Sequence, residues 1–136
     1  MQLLADDNTA AYLNRTNTLY FEENKGQWHD NVQYRLTLPA ARLFLEKNRF
    51  TYLLVDSEAL EEARHCHTES NCIDRRFGVH AFRMNFLGAL PTTRLTSSCP
   101  SATYNNYFIG NNPQHWAGNV QLFAEVRYHN LYQGID

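Results

Sequence analysis

Val32-Gln33-Tyr34-Arg35-Leu36-Thr37-Leu38 is the stretch whose reading decides the fold. Val32, Tyr34, Leu36 and Leu38 alternate with Gln33, Arg35 and Thr37, and a period of two puts the apolar set on one face of a half-buried β-strand. Beyond Pro39, two β-prone runs, Arg42–Glu46 and Arg49–Val55, flank the polar pair Lys47-Asn48 and predict a hairpin. Upstream, residues 1–18 are Asn/Thr-rich and without period, a loose lead-in to a single domain over 19–136 that opens with a short strand near Leu19–Phe21. Downstream, Asp56 or Ser57 can cap one short helix near residues 57–66, because Glu58, Glu61 and Glu62 favour its first turns and Ala59, Leu60 and Ala63 give a thin apolar stripe. Val79–Leu87 then alternates again, with His80, Phe82, Met84 and Phe86 on one side, which predicts a buried, hydrogen-bonded His80. Gly88, Pro91 and the Thr/Ser run to Ser101 read as punctuation before an aromatic strand Tyr104–Ile109, a turn at Gly110–Pro113 and a last strand Val120–Tyr128. The expected class is mostly β, an antiparallel β-sandwich or open barrel with one short helix.

Composition narrows the function classes. A chain of 136 residues with 43% hydrophobic and 19% charged side chains builds one globular core and is no disordered tail or disulfide-dense miniprotein. Its net charge of −2, with no block of like charge longer than two residues, leaves no electrostatic footprint for nucleic acid. No run of 18 apolar residues exists to span a membrane, and Met1–Ala11 lacks the basic start and apolar centre of a signal peptide. Ten Arg against two Lys, with fourteen Asn and sixteen Phe plus Tyr, favours strands and turns.

The densest cluster of reactive side chains is His65, Cys66, His67, Glu69 and Cys72. Thiolates and imidazoles suit zinc, which makes His65, Cys66, His67 and Cys72 a candidate metal set, although five residues separate the cysteines and no second knuckle matches them. A disulfide between Cys66 and Cys72 is the other reading, stabilising by roughly 2 kcal/mol through loop closure in an exported protein. Cys99 is the odd thiol, free or paired with either. No cysteine stands in a context that would make it a nucleophile. The acids Glu22, Glu23, Asp30, Glu46 and Glu125 show no spacing that marks a glycosidase pair, and Glu22-Glu23 and Glu61-Glu62 read as solvated faces. Trp28, Tyr104, Tyr107, Trp116 and Tyr132 lie in or beside predicted loops, where their rings either stack on a sugar or partner protein or fill the rim of the core.

Five blocks in order carry a resemblance: Phe21–Trp28, Leu43–Tyr52, His80–Ala89, Tyr104–Pro113 with Trp116, and Val126–Tyr128 with Asn130–Asp136. Together they resemble the N-terminal domain of unknown function found in large secreted or surface bacterial proteins, ahead of seven-bladed-propeller-type (SBBP) or PKD-type repeats and often a gliding-motility-associated C-terminal sorting domain. The resemblance implies a secreted or cell-surface location and a mostly β domain, and it carries over no catalytic residue. That family usually has Gly where Arg49 stands, so a turn needing positive φ there would be strained by roughly 1 kcal/mol. It also usually continues past Gly134-Ile135-Asp136, which implies a domain cut short, with an unpaired sheet edge.

The expected role is therefore a non-catalytic structural or interaction module for adhesion, without cofactor, whose partners are the downstream domains of its parent protein and a glycan or surface protein. The alternative is a metal-dependent hydrolase fragment centred on His65–Cys72; a cytoplasmic β domain with three reduced thiols is the third.

Overall fold

The alternating stretch is the second of seven strands in the computed structural model, which describes residues 19–56 and 78–136. The strands are β1 Phe21–Glu23, β2 Val32–Leu38, β3 Ala41–Glu46, β4 Arg49–Val55, β5 Val79–Asn85, β6 Arg94–Tyr107 and β7 Ala117–His129. They form one antiparallel sheet in the order β5-β4-β3-β2-β1-β7-β6. The class is mostly antiparallel β, and the sheet is open: β5 and β6 are its two rims among the described residues. The expected helix near residues 57–66 and the lead-in 1–18 lie outside the described residues.

Cross-strand partners share a face. Leu36 stands opposite Phe21 and Leu43, Tyr34 opposite Leu45, Leu45 opposite Phe50, and Tyr52 opposite Phe82, so one face of the sheet is apolar. Leu36 and Leu45 are its buried centre, each worth about 1.5–3 kcal/mol of apolar burial. The sheet curls over this face. The Tyr128 ring of β7 lies 5.9 Å from that of Phe50 and 5.8 Å from that of Phe86, and its hydroxyl donates to the Glu46 carbonyl at 2.7 Å. Burial, with the Glu46 charge beside it, pushes the Tyr128 hydroxyl pKa up. A clasp secures the curled end: Leu90 N–H donates to Leu131 O, the buried Thr93 hydroxyl to Leu90 O at 2.6 Å, and Asn130 N–H to Asp136 Oδ1 at 2.8 Å.

Several expectations are corrected. Val32 pairs with Glu46 while Tyr34 pairs with Leu45, so a β-bulge at this point turns Val32 to the face opposite Tyr34, Leu36 and Leu38. Arg49 is the first residue of β4 and is not among the residues with positive φ, so no strain follows from the lack of Gly there. His80 is exposed on β5, its ring 6.2 Å from that of Phe82, because β5 is a rim. The Thr/Ser run is strand: Arg94–Ser98 pair with β7 in unbroken register. That signal is hidden in the sequence by Pro100, which a rim strand tolerates because its missing N–H faces no partner. Cys99 beside it has φ +55°, and the register shifts between Pro100 and Tyr104. Glu22, read as solvated, is 8% exposed.

Candidate binding groove

The second face of the sheet carries charge in one transverse row. Register places Leu122, Glu22, Arg35, Phe44, Thr51 and Arg83 side by side across β7, β1, β2, β3, β4 and β5. Beside it, Val32, Glu46, Arg49 and Asn85 form a shorter row.

A loop built by one side chain stands over these rows. Asn24 donates from Nδ2 to the carbonyls of Trp28 (3.3 Å), His29 (3.1 Å) and Val32 (2.8 Å), and its Oδ1 accepts from Gly26 N–H at 3.1 Å and Trp28 N–H at 3.2 Å. Five bonds from one amide leave the β1–β2 connection a single shape. Gly26 has φ +104°, which an L side chain rarely adopts. Gln27 Nε2 ties back to Glu23 O at 2.8 Å, and Lys25 Nζ crosses to Gly118 O at 3.1 Å. The loop's product is the position of Trp28.

Trp28 divides the face into two environments. On one side Arg35 lies under its ring, with Cζ 4.3 Å from the centroid, in a cation–π contact. Arg35 Nη2 donates to Glu22 Oε2 and, at 2.7 Å, to the Tyr107 hydroxyl, which itself donates to Glu22 Oε2 at 2.9 Å. Asn105 Nδ2 reaches Glu22 Oε1 at 2.6 Å. Burial and then the hydrogen bond to Glu22 raise the Tyr107 hydroxyl pKa more than the Arg35 charge lowers it. Among the described residues the buried Arg35 Nε has no hydrogen-bond partner, and the negative face of the indole compensates it electrostatically.

On the other side opens a groove of about 380 Å³, lined by Trp28, His29, Val32, Phe44, Glu46, Arg49 and Arg83 among others. Arg49 holds Glu46 Oε2 through Nε at 2.8 Å and Nη2 at 2.6 Å, and Thr51 Oγ1 donates to Oε1 at 2.9 Å. Burial pushes the Glu46 carboxyl up, but the hydrogen bonds from Arg49 and Thr51 and the charges of Arg49 and Arg83 outweigh it and hold the pKa below the usual glutamate value. A carboxylate locked as an anion in this way is a poor proton donor at neutral pH.

The five aromatic candidates separate. Trp28 and Tyr107 come together, ring centroids 5.8 Å apart, and both are half-buried. Trp116 caps the β6–β7 connection, its Nε1–H donating to Gly110 O at 3.1 Å and its ring 6.0 Å from Phe108. Tyr104 is exposed on β6, and Tyr132 is bridged to Ile135 in the C-terminal clasp, so neither joins the groove. Asn24, Arg35 and Arg83 were not singled out in the sequence, and Arg49 was noted only as a departure at a turn; the signal for the three arginines was their place on the polar side of their strands, and Asn24, in the β1–β2 loop, gave none. Cys99 is a free, exposed thiol. His65, Cys66, His67 and Cys72, and with them the disulfide and the metal set, lie outside the described residues; among the described residues no three His, Cys, Asp or Glu side chains gather to hold a metal, and no helix is long and apolar enough to cross a membrane.

A family profile described as a domain of unknown function, DUF7948, matches residues 21–136. The chain belongs to the DUF7948 family. Comparison with curated proteins and with solved structures gave no match. The span of the DUF7948 match takes in all seven strands, the Asn24 loop and both sides of Trp28.

Proposed function

We propose that this DUF7948 domain is a non-catalytic interaction module of a secreted or cell-surface bacterial protein, and that the groove beside Trp28 is where it meets a glycan or partner protein. In this reading it stands ahead of SBBP- or PKD-type repeats and a gliding-motility-associated sorting domain, and packs against the parent protein's downstream domains. The five ordered sequence blocks support that setting. The observation that carries the role is the fixed presentation of Trp28: five hydrogen bonds from Asn24 hold its loop, one face is backed by Arg35, and the ring lines an open groove floored by Phe44. A preset aromatic wall binds without the entropy cost of ordering a loop. The test is a titration of the labelled domain with neutral and acidic oligosaccharides, followed through the indole N–H resonances. Saccharide is expected to move Trp28 and leave Trp116 in place. A panel in which no member moves Trp28, or in which all movement lies at Trp116 and Tyr104, overturns the assignment.

A further inference from the structure

We infer that the groove selects an acidic saccharide, with a sugar carboxylate held by Arg83 and a ring face laid against Trp28 and Phe44; this rests on the reading of the groove as a binding site. The inventory of hydrogen-bonding groups carries it. The one carboxylate in the groove, Glu46, has both oxygens occupied, Oε1 by Thr51 and Oε2 by Arg49. Apart from the Asn31 side-chain amide and the spare lone pairs of Glu46 Oε1 and the Thr51 hydroxyl, what remains is donors. Arg83 bonds to no carboxylate among the described residues and faces Glu46 only as a charge. Arg49 spends Nε and Nη2 on Glu46 and keeps Nη1. His29 Nδ1 accepts from Asn31 N–H at 3.2 Å, so the ring proton sits on Nε2 as a donor. The Trp28 indole N–H is also unspent among the described residues. Arg49 and Glu46 cancel, leaving Arg83 as the surplus charge, and the Arg35 guanidinium behind Trp28 disfavours a second cation on that ring. A ligand rich in acceptors and negative in charge answers this set.

Two geometric facts choose a saccharide over an acidic peptide. Phe44 and Arg83 are two strand spacings apart in the same row, about 10 Å, a separation that two linked sugar units bridge. The groove also lies on the face of the sheet, where β2, β3 and β4 are paired on both sides and the open side of β5 points away from it in the plane of the sheet. An extended peptide finds no open ladder there to add to, whereas side-chain donors and ring faces suffice for a sugar.

The experiment compares three probes on the whole 136-residue chain: a galacturonate trimer, its methyl-esterified counterpart and oligoglutamate, read by Trp28 resonance shift and tryptophan fluorescence. The galacturonate trimer is expected to bind at least tenfold more tightly than the ester, with the difference shrinking as salt rises. Arg83→Gln should erase that tenfold while Arg83→Lys retains part of it, both with unchanged far-UV circular dichroism. Equal binding of trimer and ester at Trp28 overturns the acidic class and leaves the groove as a saccharide site. Tighter binding of oligoglutamate overturns the choice of saccharide. Failure of all three to move Trp28 overturns this inference together with the reading beneath it.

Discussion

Glu22–Arg35 and Glu46–Arg49 are the same pair of side chains on the same face of one sheet, yet they do different things. Both carboxylates are buried, with side chains 10% and 8% exposed. In the first pair every strong acceptor is answered from within: Arg35, Tyr107 and Asn105 share the Glu22 oxygens, and Trp28 closes the guanidinium from above. This ties β6 to β1 and β2 across β7; both Glu22 oxygens are taken, Trp28 covers the guanidinium, and neither Glu22 nor Arg35 lines the groove. In the second pair the carboxylate is satisfied but the cations are not, since Arg49 keeps a donor and Arg83 has no ion pair among the described residues. Buried ion pairs give registry when complete and recognition when one sign is in excess.

That contrast is most severely tested by Glu22→Ala, which leaves Arg35 enclosed without its anion; a loss of about 3–5 kcal/mol is expected in urea unfolding, and a loss under 1 kcal/mol would mean the cluster is wetter than its geometry. Arg49→Ala at the open pair should cost less, about 1–3 kcal/mol, because Thr51 still bonds the Glu46 carboxylate and Arg83 still faces it. It should also move the acid limb of unfolding: the lowered Glu46 pKa contributes stability that is present above its unfolded value, near 4.3, and is lost as pH falls through the lower folded value, so the variant's stability should fall less steeply below pH 5. Identical acid limbs for variant and parent would remove Arg49 as the cause. Smallest is Arg127→Ala. Its partner Glu125 is 46% exposed and Arg127 61%, so thermal unfolding should shift by less than the equivalent of about 0.5 kcal/mol.

How much of this was legible in the sequence follows from which forces are local. Strict alternation announced β2 and β5, and the polar pair Lys47-Asn48 announced the β3–β4 hairpin, because period and turn chemistry act over a few residues. Arg35 stood in plain view on the polar side of β2. Its burial depends on Glu22 in β1 and on Asn105 and Tyr107 in β6, and register between distant strands leaves no mark within either. Trp28 was legible as an aromatic in a loop, but the loop's shape belongs to Asn24, one more Asn among fourteen. The Thr/Ser run was misread because Pro100 is a breaker in a central strand and is acceptable only on a rim, and position in the sheet is a tertiary fact.

The two rims also differ in how the sheet can grow. On β6, Pro100 lacks a donor and the register shifts between Pro100 and Tyr104 and again between Asn105 and Tyr107, so no straight ladder can run the length of that rim. On β5 the bonds Asp56 N–H to Gly78 O and Phe86 N–H to Asn48 O set the phase: even-numbered residues face β4, and Val79, Ala81, Arg83 and Asn85 turn their main-chain groups outward. Arg83 thus belongs to the groove by its side chain and to the rim by its backbone. A strand added at β5 would not cover the groove; it would lengthen its floor by one more position beyond Arg83.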